Sequence, residues 1–205
     1  MMSQSYSIRK AELSDALEMA KIHKSSLAVD MLSQLNNDDL IVKYYKYFIG
    51  KIDFYVLELD THELVSFVGI TTREFDYEEE LKKFCKMYIM DILASCIKSI
   101  KAFRMILRKV LSPSNGAIQL NAGKRVIIPF EIHITVTKPQ YQSMGCGKLC
   151  LNHAVEQLGI TSCIVKTHSR RAARFYEKCG FKKTNAAFDG NWNLIVLSYY
   201  GGVVI

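Results

Sequence analysis

The spacing of apolar positions changes several times along the chain, and each change predicts an element. Residues 6–9 alternate as a short strand. Ser14 then predicts an N-cap, and Asp15 an acidic first turn, for a helix that turns Leu17, Ala20 and Leu27 inward. A polar break at 36–39 precedes a second amphipathic helix over 40–48, which ends at Gly50. Residues 54–59 and 64–71 predict two strands joined through Asp60, Thr61, His62 and Glu63, a hairpin signal.

After Thr72 the period becomes helical. Cys85, Tyr88, Ile92, Cys96, Ile100, Phe103, Leu107 and Val110 recur on one face until the breaker run Ser112-Pro113-Ser114-Asn115-Gly116, about two helices' worth of chain. From 130 to 136 the chain alternates again, with Ile132, Ile134 and Val136 on one face and Glu131, His133 and Thr135 on the other. A turn at Pro139 leads into Gln142-Ser143-Met144-Gly145-Cys146-Gly147 and a helix to Leu158, closed by Gly159. A strand over 161–167, a helix over 169–178 capped by Gly180, and strands over 181–188 and 192–199 complete the pattern. The expected class is α/β, one domain over 1–205 with a helical segment over 73–125 between strands.

Composition narrows the class further. Of 205 residues, 49% are hydrophobic and only 3 are proline, which excludes disordered and collagen-like chains. No apolar run is long enough to span a bilayer and the start lacks an apolar core behind a basic end, so neither a membrane span nor a signal peptide is expected. Six cysteines at irregular spacings suit reduced thiols and a cytoplasmic setting. Residues 82–109 hold eight basic side chains against Asp91 alone, and the whole chain carries +7. A solvated helix face accounts for this charge without a nucleic-acid partner, and leaves room for weak contact with a membrane surface.

The chemistry lies in the second half. A strand, a glycine turn and a helix start bring free amides and the positive end of a helix dipole to one point, a site for a pyrophosphate. Cys146, Cys150 and His153 share a helix face at zinc-like spacing, but three small or outward residues without a fourth ligand read as packing, and no metal is expected.

The run from Val136 through Gln142, Gly145 and Gly147 resembles motif A of the GNAT superfamily, the acetyl-CoA-dependent N-acetyltransferases. Ser169-Arg170-Arg171-Ala172-Ala173-Arg174-Phe175-Tyr176, followed by Gly180-Phe181, resembles its motif B, with Ser169 where the family usually has Asn. Ile8, Arg9 and Asp15 resemble the family's opening strand and helix entry, and residues 64–69 its third strand, whereas 73–125 does not match and resembles an insertion.

The resemblance implies a mainly antiparallel mixed sheet covered by helices on both faces. It implies acetyl-CoA as co-substrate, with its pantetheine arm on the backbone of Ile134, Thr135 and Val136. The pyrophosphate would rest on the loop of Gln142, Ser143, Met144, Gly145, Cys146, Gly147 and Lys148, with Ser169 near the cofactor. Tyr176 falls on the family's general acid, and a phenol of unperturbed pKa about 10 suits a thiolate of about 8–9. Glu131 falls where some members keep a glutamate base, and His133 on the same face competes with it.

The expected activity is direct acetyl transfer to a primary amine, small and anionic or sugar-linked. A protein lysine or N-terminus is the alternative acceptor, and a silent acyl-CoA-binding or membrane-surface module the alternative function. A monomer and a homodimer are both compatible with the chain.

Overall fold

The computed structural model describes residues 5–27, 30–72, 74–97, 119–120, 129–167, 169–183, 186–187 and 195–200. The chain opens with β1 (Tyr6–Lys10), a 3-10 turn (Leu13–Asp15), α1 (Ala16–Ser26), α2 (Met31–Gln34) and α3 (Asp38–Phe48). Then come β2 (Asp53–Leu59), β3 (Leu64–Thr72), α4 (Tyr77–Met87), α5 (Ile89–Ile97) and β4 (Gln119–Leu120). The second half holds β5 (Phe130–Thr137), a 3-10 turn (Pro139–Tyr141), α6 (Cys146–Gln157), β6 (Ser162–Thr167), α7 (Arg170–Lys178), β7 (Lys182–Lys183), β8 (Ala186–Ala187) and β9 (Ile195–Tyr200).

Seven strands form one sheet in the order β1-β2-β3-β5-β6-β9-β7, and β4 pairs with β8 apart from it. Every neighbouring pair in the main sheet is antiparallel except β5 and β6. One core cluster fills the face covered by α1, α3 and α4, with Met19, Ile22, Tyr44, Tyr45, Phe48, Phe54, Phe67 and Phe84 at its centre. The other fills the face covered by α6 and α7, around Val65, Val68, Ile132, Cys150, Ala154, Cys163 and Tyr176. Both faces of β2 and β3 are therefore buried, which explains their near-continuous apolar runs.

Several expectations change in detail. Leu17 does not turn inward: it is 52% exposed, and Ala16, Met19, Ala20, Ile22 and His23 form the buried stripe of α1. Ser14 lies inside the 3-10 turn, not at a cap, and α1 follows directly from that turn at Ala16. Asp15 anchors the turn by accepting from the Glu12 amide at 2.7 Å and from Arg9 Nη1 and Nη2 at 2.7 and 2.9 Å. The short α2, capped by Asp30, has no apolar period long enough to read. The stripe after Thr72 breaks at Tyr88 into α4 and α5, and Ile100, Phe103, Leu107 and Val110 lie outside the described residues. Of the closing strands the structure describes β7, β8 and β9, and residues 184–185 and 188–194, Trp192 among them, lie outside the described residues.

The largest departure is in β5. Its partners on β3 run from Thr137↔Ser66 to Ile134↔Gly69 and then jump to Ile132↔Ile70, so His133 is an extra residue, a β-bulge. Strict alternation would put Ile132, Ile134 and Val136 on one face. Instead Phe130 and Ile132 pack toward α6 and α7, while Ile134 and Val136 pack toward α1 and α3. The same inversion turns Thr135 toward α7, away from the face that His133 occupies.

Candidate active site

The parallel pairing of β5 with β6 covers only Phe130↔Cys163, Glu131↔Ile164 and Ile132↔Val165. Both strands continue beyond it, β5 to Thr137 and β6 to Thr167, so they part and leave a wedge between them. Ile134, Thr135 and Val136, the expected pantetheine-binding residues, lie on β5 beside this wedge. A strand edge without a strand neighbour presents amide and carbonyl groups to whatever enters.

At the wide end of the wedge the chain turns through Pro139–Tyr141 into the glycine loop. Ser143 (φ 67°) and Gly145 (φ 92°) are both left-handed, two such residues within three. Gly145 is the N-cap of α6, and a Cβ there would meet no atom within 4 Å. Gly147 is the opposite case. Its absent Cβ would lie 2.8 Å from Thr137 Oγ1 and 3.4 Å from the Phe175 ring, so glycine lets α6 close onto both β5 and α7. The first-turn amides of Cys146, Gly147 and Lys148 have no acceptors within the helix and gather at the dipole's positive end.

Polar ties hold this loop from three sides. Gln142 Nε2 donates to the Thr137 carbonyl at 3.0 Å, and Arg171 Nη2 donates to Gln142 Oε1 at 2.6 Å. Glu63, at the start of β3, accepts from Lys138 Nζ at 2.8 Å and from Tyr141 O–H at 2.9 Å. Lys138 holds the Glu63 carboxyl below its ordinary value against the opposing effect of burial. Ser66 is fully buried and donates to the Val136 carbonyl at 2.9 Å. The sequence assigns no role to Glu63, Ser66, Tyr141 or Arg171, because each contact depends on a partner brought close by the fold.

The expected loop residues divide in use. Met144 is exposed. Lys148 Nζ donates to the Lys178 carbonyl at 3.2 Å and so caps the C-terminus of α7. Burial pushes the Cys146 thiol above its ordinary value, the reverse of an activated thiolate. Cys150 Sγ donates to the Tyr55 carbonyl at 3.5 Å, and the His153 ring packs 6.0 Å from that of Tyr55. Ser169 caps α7 by accepting from the Ala172 amide at 3.3 Å.

Tyr176 is 5% exposed on the α7 face, and its O–H donates to Thr135 Oγ1 at 3.2 Å. The hydroxyl therefore reaches β5 at the wedge, a contact the bulge at His133 makes available. Burial pushes the phenol up to about 12, with Thr135 acting the other way.

Glu131 and His133 lie on the opposite face. Glu131 Oε2 accepts from Lys166 Nζ at 2.9 Å across to β6, where the strands are still paired. His133 Nε2 lies 3.1 Å from the Tyr44 hydroxyl, and its ring centroid 4.0 Å from that of Tyr77. The end of α1 closes the same side, Ser26 Oγ donating to the Thr137 carbonyl at 2.9 Å.

Residues 114–183 match the family model described as an acetyltransferase (GNAT) domain. In that stretch the chain holds β5, the glycine loop, α6, β6 and α7. Its fold is similar to a histone acetyltransferase HPA2 and related acetyltransferase from Corynebacterium glutamicum, at 13% identity and a TM-score of 0.58 over 98% of each chain. The polyamine N-acetyltransferase of Drosophila melanogaster is similar at 11% identity and a TM-score of 0.55, over 96% of this chain and all 100% of that one. The PaiA N-acetyltransferase of Thermoplasma acidophilum, determined with coenzyme A, is similar at 15% identity and a TM-score of 0.53, over 96% and 99%. No curated protein sequence matches the chain. No described helix is long and apolar enough to cross a membrane.

Proposed function

We propose that this chain is a GNAT acetyltransferase and transfers the acetyl group of acetyl-CoA to a primary amine by direct attack. The observation that carries the reading is the wedge between β5 and β6, with the glycine loop at its wide end and the Tyr176 hydroxyl at its wall. The donor set fits an acyl-CoA: loop and α6 amides with open space over Gly145 suit the pyrophosphate, and the β5 edge at Ile134, Thr135 and Val136 suits the amide-rich arm. Backbone amides along the same edge are placed to bear charge on the thioester oxygen.

On this reading Tyr176 serves the sulfur. Burial pushes the phenol up, which disfavours complete loss of its proton. The phenol thus stabilises the departing thiolate chiefly as a hydrogen-bond donor, exchanging Thr135 for sulfur. Of the two candidate bases, His133 stands at the residue where β5 leaves β6, whereas Glu131 is tied to Lys166 one pair earlier. The geometry supports His133 as the base, with Glu131 and Lys166 bordering it.

The preference for a small anionic or sugar-linked acceptor rests on the basic charge of 82–109, of which 98–109 lies outside the described residues. Thiol release from acetyl-CoA tests the reading with a panel of amino-sugar phosphates, polyamines and lysine peptides. Amine-dependent release that falls in Tyr176→Phe and in His133→Gln supports it. Coenzyme A binding without amine-dependent release would favour a silent acyl-CoA-binding module instead.

A further inference from the structure

One charged pair bridges β5 and β6 at the narrow end of the wedge. On β6, Cys163 and Val165 are buried under α6 and α7, as Ile132 is on β5. Alternation therefore turns Glu131, Ile164 and Lys166 to the opposite face, the one His133 occupies. The last paired residues are Ile132 and Val165, so Glu131 stands one residue before the strands part and Lys166 one residue after. Lys166 Nζ donates to Glu131 Oε2 at 2.9 Å across that point, and the two side chains are 30% and 33% exposed.

An ion pair this open to water adds little to stability, and exchanging its partners costs little. It shows an entering molecule a negative and a positive head side by side. A plain amine that pairs with Glu131 takes the carboxylate away from Lys166, and a plain anion on Lys166 takes the cation away from Glu131. A molecule that carries both charges at the same spacing satisfies both heads at once. In an α-amino acid the nitrogen and the nearer carboxylate oxygen are about 3 Å apart by bond lengths and angles, close to the 2.9 Å of the pair. An amino-sugar phosphate separates its charges by several more bonds.

We infer that Glu131 and Lys166 together select a free α-amino acid as the acceptor, Glu131 taking its amine and Lys166 its carboxylate. The inference rests on the acetyl-transfer reading and narrows its acceptor on a ground independent of the charge of 82–109. An amine that has given up one proton still has N–H groups to donate to Glu131, so the pairing survives into the attack on the thioester. The acetylated product keeps its carboxylate but has a neutral amide in place of the amine. It holds Glu131 less well than the substrate did, which favours its release.

The test on the full chain compares glycine, L-alanine, L-phenylalanine and L-glutamate with their 1-amides, which keep the amine and side chain and lack the α-carboxylate charge. In at least one pair, wild-type kcat/KM for the acid should exceed that for the amide tenfold or more. Lys166→Met should lower this ratio at least tenfold, mainly through KM, and Lys166→Arg should keep most of it. Calorimetric titration of the same acid in the presence of coenzyme A should show the same loss in Lys166→Met. The double exchange Glu131→Lys with Lys166→Glu keeps a cross-strand pair but reverses it. It should restore thermal stability without restoring the ratio, because the reversed pair draws the amine to the wrong strand. Equal or better use of the amide in every wild-type pair, a ratio unmoved in Lys166→Met, or a ratio restored by the exchange would overturn the inference and leave the pair a strand tie. Acetylation of amides or polyamines but of no amino acid would sink this inference alone, whereas coenzyme A binding with no thiol release on any amine would bring down the acetyl-transfer reading and the inference with it.

Discussion

Gly147→Ala concentrates the packing logic of the cofactor site into one methyl group. The added carbon would sit 2.8 Å from Thr137 Oγ1, well inside contact distance, and 3.4 Å from two carbons of Phe175. Neither neighbour yields easily. Thr137 Oγ1 is already paired with Ser66 Oγ at 2.8 Å, and Phe175 packs edge-on to Tyr176 with ring centroids 5.0 Å apart. Overpacking of this kind costs about 1–3 kcal/mol. Alanine would gain at most about 1 kcal/mol of helix propensity, and less in a first turn. The steric cost wins, and α6 is pushed off β5.

The assay is paired: thermal unfolding for stability, and calorimetric titration with coenzyme A for the loop. Gly147→Ala should lower stability by roughly 1–2 kcal/mol and weaken coenzyme A about tenfold, because the helix-start amides move with α6. Thr137→Ala removes the colliding oxygen, so the double variant should recover at least half of the stability loss, a coupling of about 1 kcal/mol. Additive losses in the double variant would refute the steric account. Unchanged coenzyme A affinity in a destabilised Gly147→Ala would refute the placement of the cofactor on this loop.

Other perturbations read other links. Tyr176→Phe should lower kcat about tenfold to a hundredfold with little change in coenzyme A affinity, since only a donor to the leaving sulfur is lost; a parallel rise in dissociation constant would make it a packing residue. Glu63→Gln should raise the KM for acetyl-CoA several-fold at constant kcat by freeing Lys138 and Tyr141, and a kcat effect alone would contradict that role. Burial raises the Asp15 pKa, but Arg9 and the Glu12 amide outweigh it and hold the carboxyl below its unfolded value. The stability it supplies is therefore present above about pH 4 and lost as pH falls through the lower folded pKa. Asp15→Asn should thus unfold more easily than wild type at pH 7, and the gap should close toward pH 2–3 in thermal melts.

Much of this architecture was legible because local chemistry and tertiary packing agree. The hairpin at Asp60 to Glu63, the helix ending at Gly50, the left-handed Gly145, Gly159 and Gly180, and the Ser169 cap all fall where residue chemistry puts them. The glycine turn and the helix start that follows it were legible through residue spacing. Leu17 was misplaced because a 3-10 turn held by the Arg9–Asp15 pair resets the helical phase, and that pairing spans elements. The contacts of Tyr44 and Tyr77 with His133 were invisible, since an aromatic on an amphipathic helix face carries no mark of what its hydroxyl meets.

The bulge at His133 shows why one unreadable residue matters more than several misjudged boundaries. Period-2 alternation assigns 130 to 136 to faces without ambiguity, and the assignment fails halfway because pairing register with β3, not local pattern, admits the extra residue. With the bulge, Thr135 and Thr137 face α6 and α7, where one meets Tyr176 and the other sets the distance to Gly147. His133 and Ile134 face the other way, where Tyr44 and Tyr77 converge. An unbulged strand would give Thr135 to the side of His133 and leave Tyr176 without its oxygen partner. The bulge also lies one residue beyond Ile132↔Val165, where β5 and β6 stop pairing. A bulged strand bends and twists more sharply, so the same insertion that sorts the side chains between the two faces also helps to open the wedge between the strands. Thr135 and His133, two residues apart on β5, thus meet side chains on opposite faces of the sheet, a separation that a regular β5 could not provide.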